Sequence, residues 1–90
     1  MKKRDVAKAV ALRYDQAKNK APTITAKGFG SIAEKILEIA NKNGIYIHKD
    51  SDMVEILSRL EIGDEIPEYL YKAIAEILAF VYKLNKNYKK

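Results

Sequence analysis

The spacing of apolar positions changes from one segment of this chain to the next, and each spacing predicts an element. Between Val6 and Tyr14 lies the unbroken run Ala9-Val10-Ala11-Leu12, the pattern of a strand covered on both faces. Asp15 to Ala21 is polar and stops at Pro22, which reads as a connecting loop. Thr23-Ile24-Thr25-Ala26 predicts a second, shorter strand, because β-branched side chains suit a pleated surface, and Lys27-Gly28-Phe29-Gly30 predicts a flexible junction. Together the two strands make a β-hairpin.

Helical spacing follows. Ser31 with Glu34 three residues later has the form of a capping box, and Ile32, Ala33, Ile36, Leu37, Ile39 and Ala40 recur at helix period until Gly44, a suitable C′ residue. Ile45-Tyr46-Ile47-His48 predicts a short third strand, joined to the hairpin by a right-handed crossover as a parallel pair. Asp50, Ser51 and Asp52 offer caps for a second helix over Met53 to Leu60. Glu61 to Ile66 predicts a turn around Gly63, and Pro67 suits the first turn of a final helix from Glu68 to Leu84. The expected architecture is α/β: a small mixed sheet of about three strands packed with about three helices.

That last helix has more apolar surface than one core contact requires. Leu70, Ile74, Ile77, Val81 and Leu84 form one stripe, while Tyr71, Ala75, Leu78 and Tyr82 form a second, rotated by about 100°. Only Lys72, Glu76 and Lys83 mark a polar face. Both stripes can pack inside a small domain, or part of the second can serve a partner.

With 90 residues the chain is one domain with one core, and without cysteine neither disulfides nor a thiolate zinc site contribute to it. No apolar stretch approaches the ~20 residues that span a bilayer, and no signal-peptide core follows Met1-Lys2-Lys3-Arg4, so a cytoplasmic protein is expected. The formal charge of +5 resides in the tails, residues 1–5 and 85–90. Removing Lys2, Lys3, Arg4, Lys86, Lys89 and Lys90 from the 17 basic residues leaves 11, and with Asp5 in the N-terminal tail 11 of the 12 acids remain, so the body is essentially neutral. A basic nucleic-acid-binding module is the alternative that these tails suggest; it requires them to share a face with surface tyrosines.

Catalytic patterns are weak. Gly28-Phe29-Gly30-Ser31-Ile32-Ala33 fits G-x-G-x-x-A with Asp50 about 20 residues beyond, yet the chain is too short for both halves of a dinucleotide fold, and a strand-to-helix turn explains the glycines. His48, the single histidine, lacks companion metal ligands. Asp50, Asp52 and Glu55, like Asp64, Glu65 and Glu68, lie beside helix starts, where capping accounts for them. No cofactor or metal is expected, and no nucleophile, base and oxyanion hole assemble.

Ala9-Val10-Ala11-Leu12-Arg13-Tyr14-Asp15, Ala21-Pro22, Ala26-Lys27-Gly28, Glu61-Ile62-Gly63, Glu65-Ile66-Pro67, Leu70-Tyr71, Ala73, Ala75-Glu76, Leu78-Ala79 and Val81-Tyr82 resemble, in this order, the cytoplasmic domain of the FlhB family of flagellar and injectisome type III export proteins. The resemblance runs from about Ala9 to Leu84. It implies an Asn-Pro-Thr-His self-cleavage loop at the positions held here by Arg4, Asp5, Val6 and Ala7, with Lys8 where the family has tyrosine. All four loop residues differ, and no Asn-Pro bond occurs anywhere, so self-cleavage is not expected. The resemblance further implies a short stand-alone FlhB-like protein, acting at the cytoplasmic face of the export gate. Its partners would be export substrates, the hook-length control protein and other gate components. Substrates would enter a shallow apolar pocket at Ala21, Pro22, Ala75 and Leu78. It also suggests that Ala9 to Leu12, lacking a neighbouring strand, accepts one from another chain or a second copy.

Overall fold

The computed structural model describes residues 7–18 and 21–88. Strand β1 (Lys8–Arg13) and strand β2 (Thr23–Phe29) form an antiparallel hairpin, and a single 3₁₀ turn, Gln16–Lys18, lies in its connection. Ala11 pairs with Ala26 and Leu12 with Ile24, so Thr25 is the extra residue of a bulge; its hydroxyl donates to the Ala11 carbonyl at 3.3 Å. β2 extends through the segment expected as a junction, because Lys27, Gly28 and Phe29 all find partners on β1.

Helix α1 (Ser31–Lys42) begins directly after β2. The capping box does not form. Gly30 is the cap residue, at φ 59° and ψ −127°, a region open to glycine, and Ser31 is already helical with no side-chain cap bond. At the other end Gly44 adopts φ 67°. Gly44 N–H donates to Asn41 O at 3.3 Å and Ile45 N–H to Ala40 O at 2.9 Å, the paired bonds of a Schellman ending.

The third strand is absent among the described residues, and with it the parallel pair. Ile45 to His48 runs as irregular chain. The place beside β2 is already occupied at one end: Ile24 N–H donates to Asp64 O at 2.9 Å, Gly63 N–H to Ile24 O at 2.7 Å, and Ile66 N–H to Pro22 O at 3.0 Å. The segment expected only as a turn around Gly63 therefore straps the sheet edge, with an isolated bridge between Thr23 and Glu65.

Helix α2 (Ser51–Leu57) is shorter than its apolar pattern suggests. Asp50 caps it, its carboxylate accepting the Met53 N–H at 3.0 Å. The half-buried Lys27 closes its other end by donating to Ser58 O at 3.2 Å and Leu60 O at 2.6 Å, where the helix leaves carbonyls unpaired. Pro67 is extended and precedes a 3₁₀ turn, Glu68–Leu70, from which helix α3 (Tyr71–Tyr88) continues.

The hairpin is packed on both faces, as the run Ala9 to Leu12 predicts. Val10 and Leu12 face a core of Ile24, Leu57, Ile66, Leu70 and Ile74, joined by Met53, Ile56 and Leu60. On the other face α1 packs across both strands. Here Ala9 and Ala33 are buried and Gly28 lies under Ile32.

Candidate partner-binding surface

Helix α3 sets the geometry of the surface because only one of its faces enters the core. Ile74 is buried and Ile77 and Val81 are half-buried, whereas Tyr71, Ala75 and Tyr82 are exposed. The first apolar stripe therefore faces inward, fading to an exposed Leu84, and the second lies along an open flank. Leu78 stands between these conditions: half-buried, it touches the rim of the core that Ile74 fills.

Ala21 packs against that same core from the hairpin connection. Ala21 and Leu78 thus pack against the same core cluster, although the sequence separates them widely. Ala75, three residues before Leu78, is exposed on the adjoining helix surface. Pro22 is buried and its carbonyl accepts the Ile66 N–H, so the residue anchors the strap to β2. Among these four residues there is no charge and no side-chain hydrogen-bonding group, which suits contact with an apolar side chain and supplies no group for acid–base or nucleophilic chemistry.

Of the positions aligned with the cleavage loop, Arg4, Asp5 and Val6 lie outside the described residues. Ala7 is exposed, and its carbonyl accepts the Gly30 N–H at 2.8 Å, tying the start of β1 to the turn before α1. Lys8 pairs with Glu55 on α2 and holds its ammonium 5.5 Å from the Phe29 ring centre. The hydrogen-bonded Lys8 ammonium holds the Glu55 carboxyl below its ordinary pKa, with Arg59 adding a smaller pull in the same direction. The glycines of G-x-G-x-x-A serve the turn: Gly28 allows Ile32 to approach, and Gly30 supplies the positive φ.

A second concavity lies on the opposite flank of α3. Tyr46, His48 and Asp50 form one wall, while Ala73, Glu76, Ile77 and Phe80 form the other. Tyr46 and Phe80 meet edge to face, with ring centres 5.5 Å apart at 65°. Sequence reasoning missed this surface. The available signal was Phe80, an aromatic residue belonging to neither stripe of its helix.

Among the described residues no helix is long and apolar enough to cross a membrane, and no group of three or more His, Cys, Asp and Glu side chains is placed to hold a metal.

Comparison with known proteins agrees with this architecture. The chain is 45% identical over 84 residues to the Bacillus subtilis (strain 168) protein YlqH, a match covering 93% of this chain and 90% of YlqH. It is 52% identical over 79 residues to the flagellar biosynthetic protein FlhB of Buchnera aphidicola subsp. Schizaphis graminum, covering 87% of this chain but only 21% of that protein. The chain thus spans about a fifth of the flagellar relatives it matches. In structure it resembles the PscU C-terminal domain, with a TM-score of 0.76 at 27% identity over 82% of this chain and 95% of that one. It shares the fold of the native SpaS C-terminal domain, with a TM-score of 0.83 at 13% identity over 93% of this chain and 98% of that one. The profile described as the FlhB HrpN YscU SpaS family matches residues 6–81, and the chain belongs to that family.

Proposed function

We propose that this chain acts in flagellar or type III protein export as a non-catalytic switch domain, receiving export substrates at an apolar surface that includes Ala21 and Leu78. The observation that carries this reading is the open second stripe of α3. Leu78 touches the core edge, and Tyr71, Ala75 and Tyr82 continue outward from it as uncovered surface. An apolar side chain inserted at this rim removes further area from water without first displacing a charge. Family membership supports the process; the uncharged rim supports the mode of contact.

The test is titration calorimetry with early flagellar export substrates and the hook-length control protein, using the native chain and Leu78→Asp. Saturable binding that the variant loses, while it keeps its helical circular dichroism and cooperative melting, is the expected result. Binding unchanged in Leu78→Asp overturns the assignment of the rim. Failure of all these partners to bind the native chain overturns the substrate-receiving role.

Self-cleavage through an Asn-Pro bond has no substrate in this sequence. The purified chain is therefore expected to keep its full mass, and a fragment pair broken near Ala7 would contradict that. Strand β1 has β2 as its one strand neighbour among the described residues. Its other edge is proposed to accept a strand from a gate protein or a second copy, and fast amide exchange along that edge, slowed by the partner, is the check. The nucleic-acid alternative gains no support from these comparisons. Its basic tails fall on Lys2, Lys3, Arg4, Lys89 and Lys90, which lie outside the described residues, and on Lys86, whose side chain does as well.

A further inference from the structure

We infer that the groove between the 45–50 segment and α3 is a second recognition site, one that holds an arginine or lysine side chain of a partner peptide. Its position separates it from the Leu78 rim. At ~100° per residue, Glu76, Ile77 and Phe80 project from the side of α3 roughly opposite Tyr71, Ala75 and Tyr82, and the buried Ile74 lies between the two flanks.

The lining specifies the occupant. Tyr46 and Phe80 remain 40% and 50% exposed although they touch each other, so aromatic surface is available to a ligand. An aromatic ring face attracts a cation, and a guanidinium also stacks on it. Two carboxylates share the groove with the rings. Asp50 uses one oxygen to cap α2 and presents the other 3.8 Å from His48 Nε2. Glu76 forms no ion pair with any described residue. No Lys or Arg lines the groove; Lys72 and Lys83 stand on the adjoining polar face of the same helix.

These features match the two parts of an arginine. Its methylenes can lie along Ile77 and the ring edges while the guanidinium reaches Glu76, with one ring face beneath it. A wholly apolar side chain matches the groove less well, because it would bring Glu76 out of water with nothing to pair it. The Leu78 rim has the complementary character, apolar and uncharged. The groove proposal stands on its own lining and does not depend on the export reading.

The test uses the full chain, labelled with nitrogen-15 and titrated into the millimolar range with the peptide acetyl-Gly-Leu-Arg-Leu-Gly-amide. A second peptide, with citrulline in place of arginine, keeps the shape and removes the charge. Saturable shifts of the Tyr46, His48, Ile77 and Phe80 amides are expected with the arginine peptide, about tenfold weaker with citrulline and about tenfold weaker in Glu76→Gln. Leu78→Asp should leave this binding unchanged, which distinguishes failure of the groove from failure of the rim. Equal binding of the two peptides would sink the proposal, as would shifts centred on Ala21 and Leu78 or no saturable shifts. If the free chain sediments as a dimer with Tyr46 and Phe80 protected, the occupant is a second copy and the proposal is wrong.

Discussion

The two faces of the hairpin are packed by opposite means. Toward α1 the contact is made by Ala9, Gly28 and Ala33, residues with little or no side chain, and the helix comes close enough that a Cβ built on Gly28 would lie 2.2 Å from Ile32 Cγ2. Toward α2 and α3 it is made by large aliphatic side chains, with Ile24 at 1% and Ile74 at 2% exposure. One face is therefore sensitive to added atoms, the other to removed ones. The contrast also concerns function: both candidate binding surfaces flank α3 on the aliphatic side, where branched side chains leave rims and grooves.

The largest effect should come from emptying the aliphatic side. Ile24→Ala is expected to cost about 4 kcal/mol, as transfer and cavity effects add, read as a lower urea midpoint. A loss below about 1 kcal/mol would mean that this core collapses readily and the contrast is overstated. On the close-packed side, Gly28→Ala should cost about 2 kcal/mol through steric strain, and Ile32→Ala introduced with it should restore part of the loss. Because Ile32 is itself mostly exposed, the double variant isolates the clash. Absence of rescue would show that the strain lies in the backbone.

Next comes the polar clamp at the edge of the aliphatic face. Lys27→Met retains much of the stem but removes the donor to Ser58 O and Leu60 O, and should cost about 1 to 2 kcal/mol with faster amide exchange at the end of α2. The smallest effect concerns Lys8 and Glu55. The Glu55 pKa is lowered on folding, so its contribution is present above the unfolded carboxylate value and is lost as pH falls through the lower folded value. Glu55→Gln should remove that acid-limb dependence at low salt and lower stability at neutral pH by the same amount, a small one because the pair is solvent-exposed. An unchanged acid limb would show that the pair contributes nothing measurable.

Much of the local structure was legible in the residues. The hairpin, α1, the Asp50 cap, the Gly44 ending and the last helix all follow from patterns read within a few residues of each element. The double stripe on the last helix was legible too, and in its second stripe Tyr71, Ala75 and Tyr82 are exposed while Leu78 is half-buried. Ala21, Pro22, Ala75 and Leu78 follow as a set only from the family resemblance, not from the spacing of residues. That Ala21 and Leu78 pack against one core cluster arises from the tertiary packing.

Other parts were not legible because they depend on competition between distant segments. Ile45 to Ile47 has the composition of a strand, but Gly63 to Ile66 pairs with β2, and Tyr46 packs on Phe80 instead. The apolar spacing of α1 suggests a well-covered helix; only Ala33 is buried, and Ile32 and Ile39 remain mostly exposed. Ser31 has the form of a cap, yet Gly30 sits at the turn because the chain must leave β2 there with a positive φ.

The sequence by itself determined the hairpin, the helices, the absence of an Asn-Pro bond and the family, since these depend on residue order and short-range sterics. Tertiary structure alone decided which apolar faces were covered, which segment took the edge of β2, and that Tyr46 and Phe80 share a groove with two carboxylates. Those outcomes depend on which of several chemically suitable surfaces gives the most favourable packing in three dimensions, and burial of one leaves the other exposed.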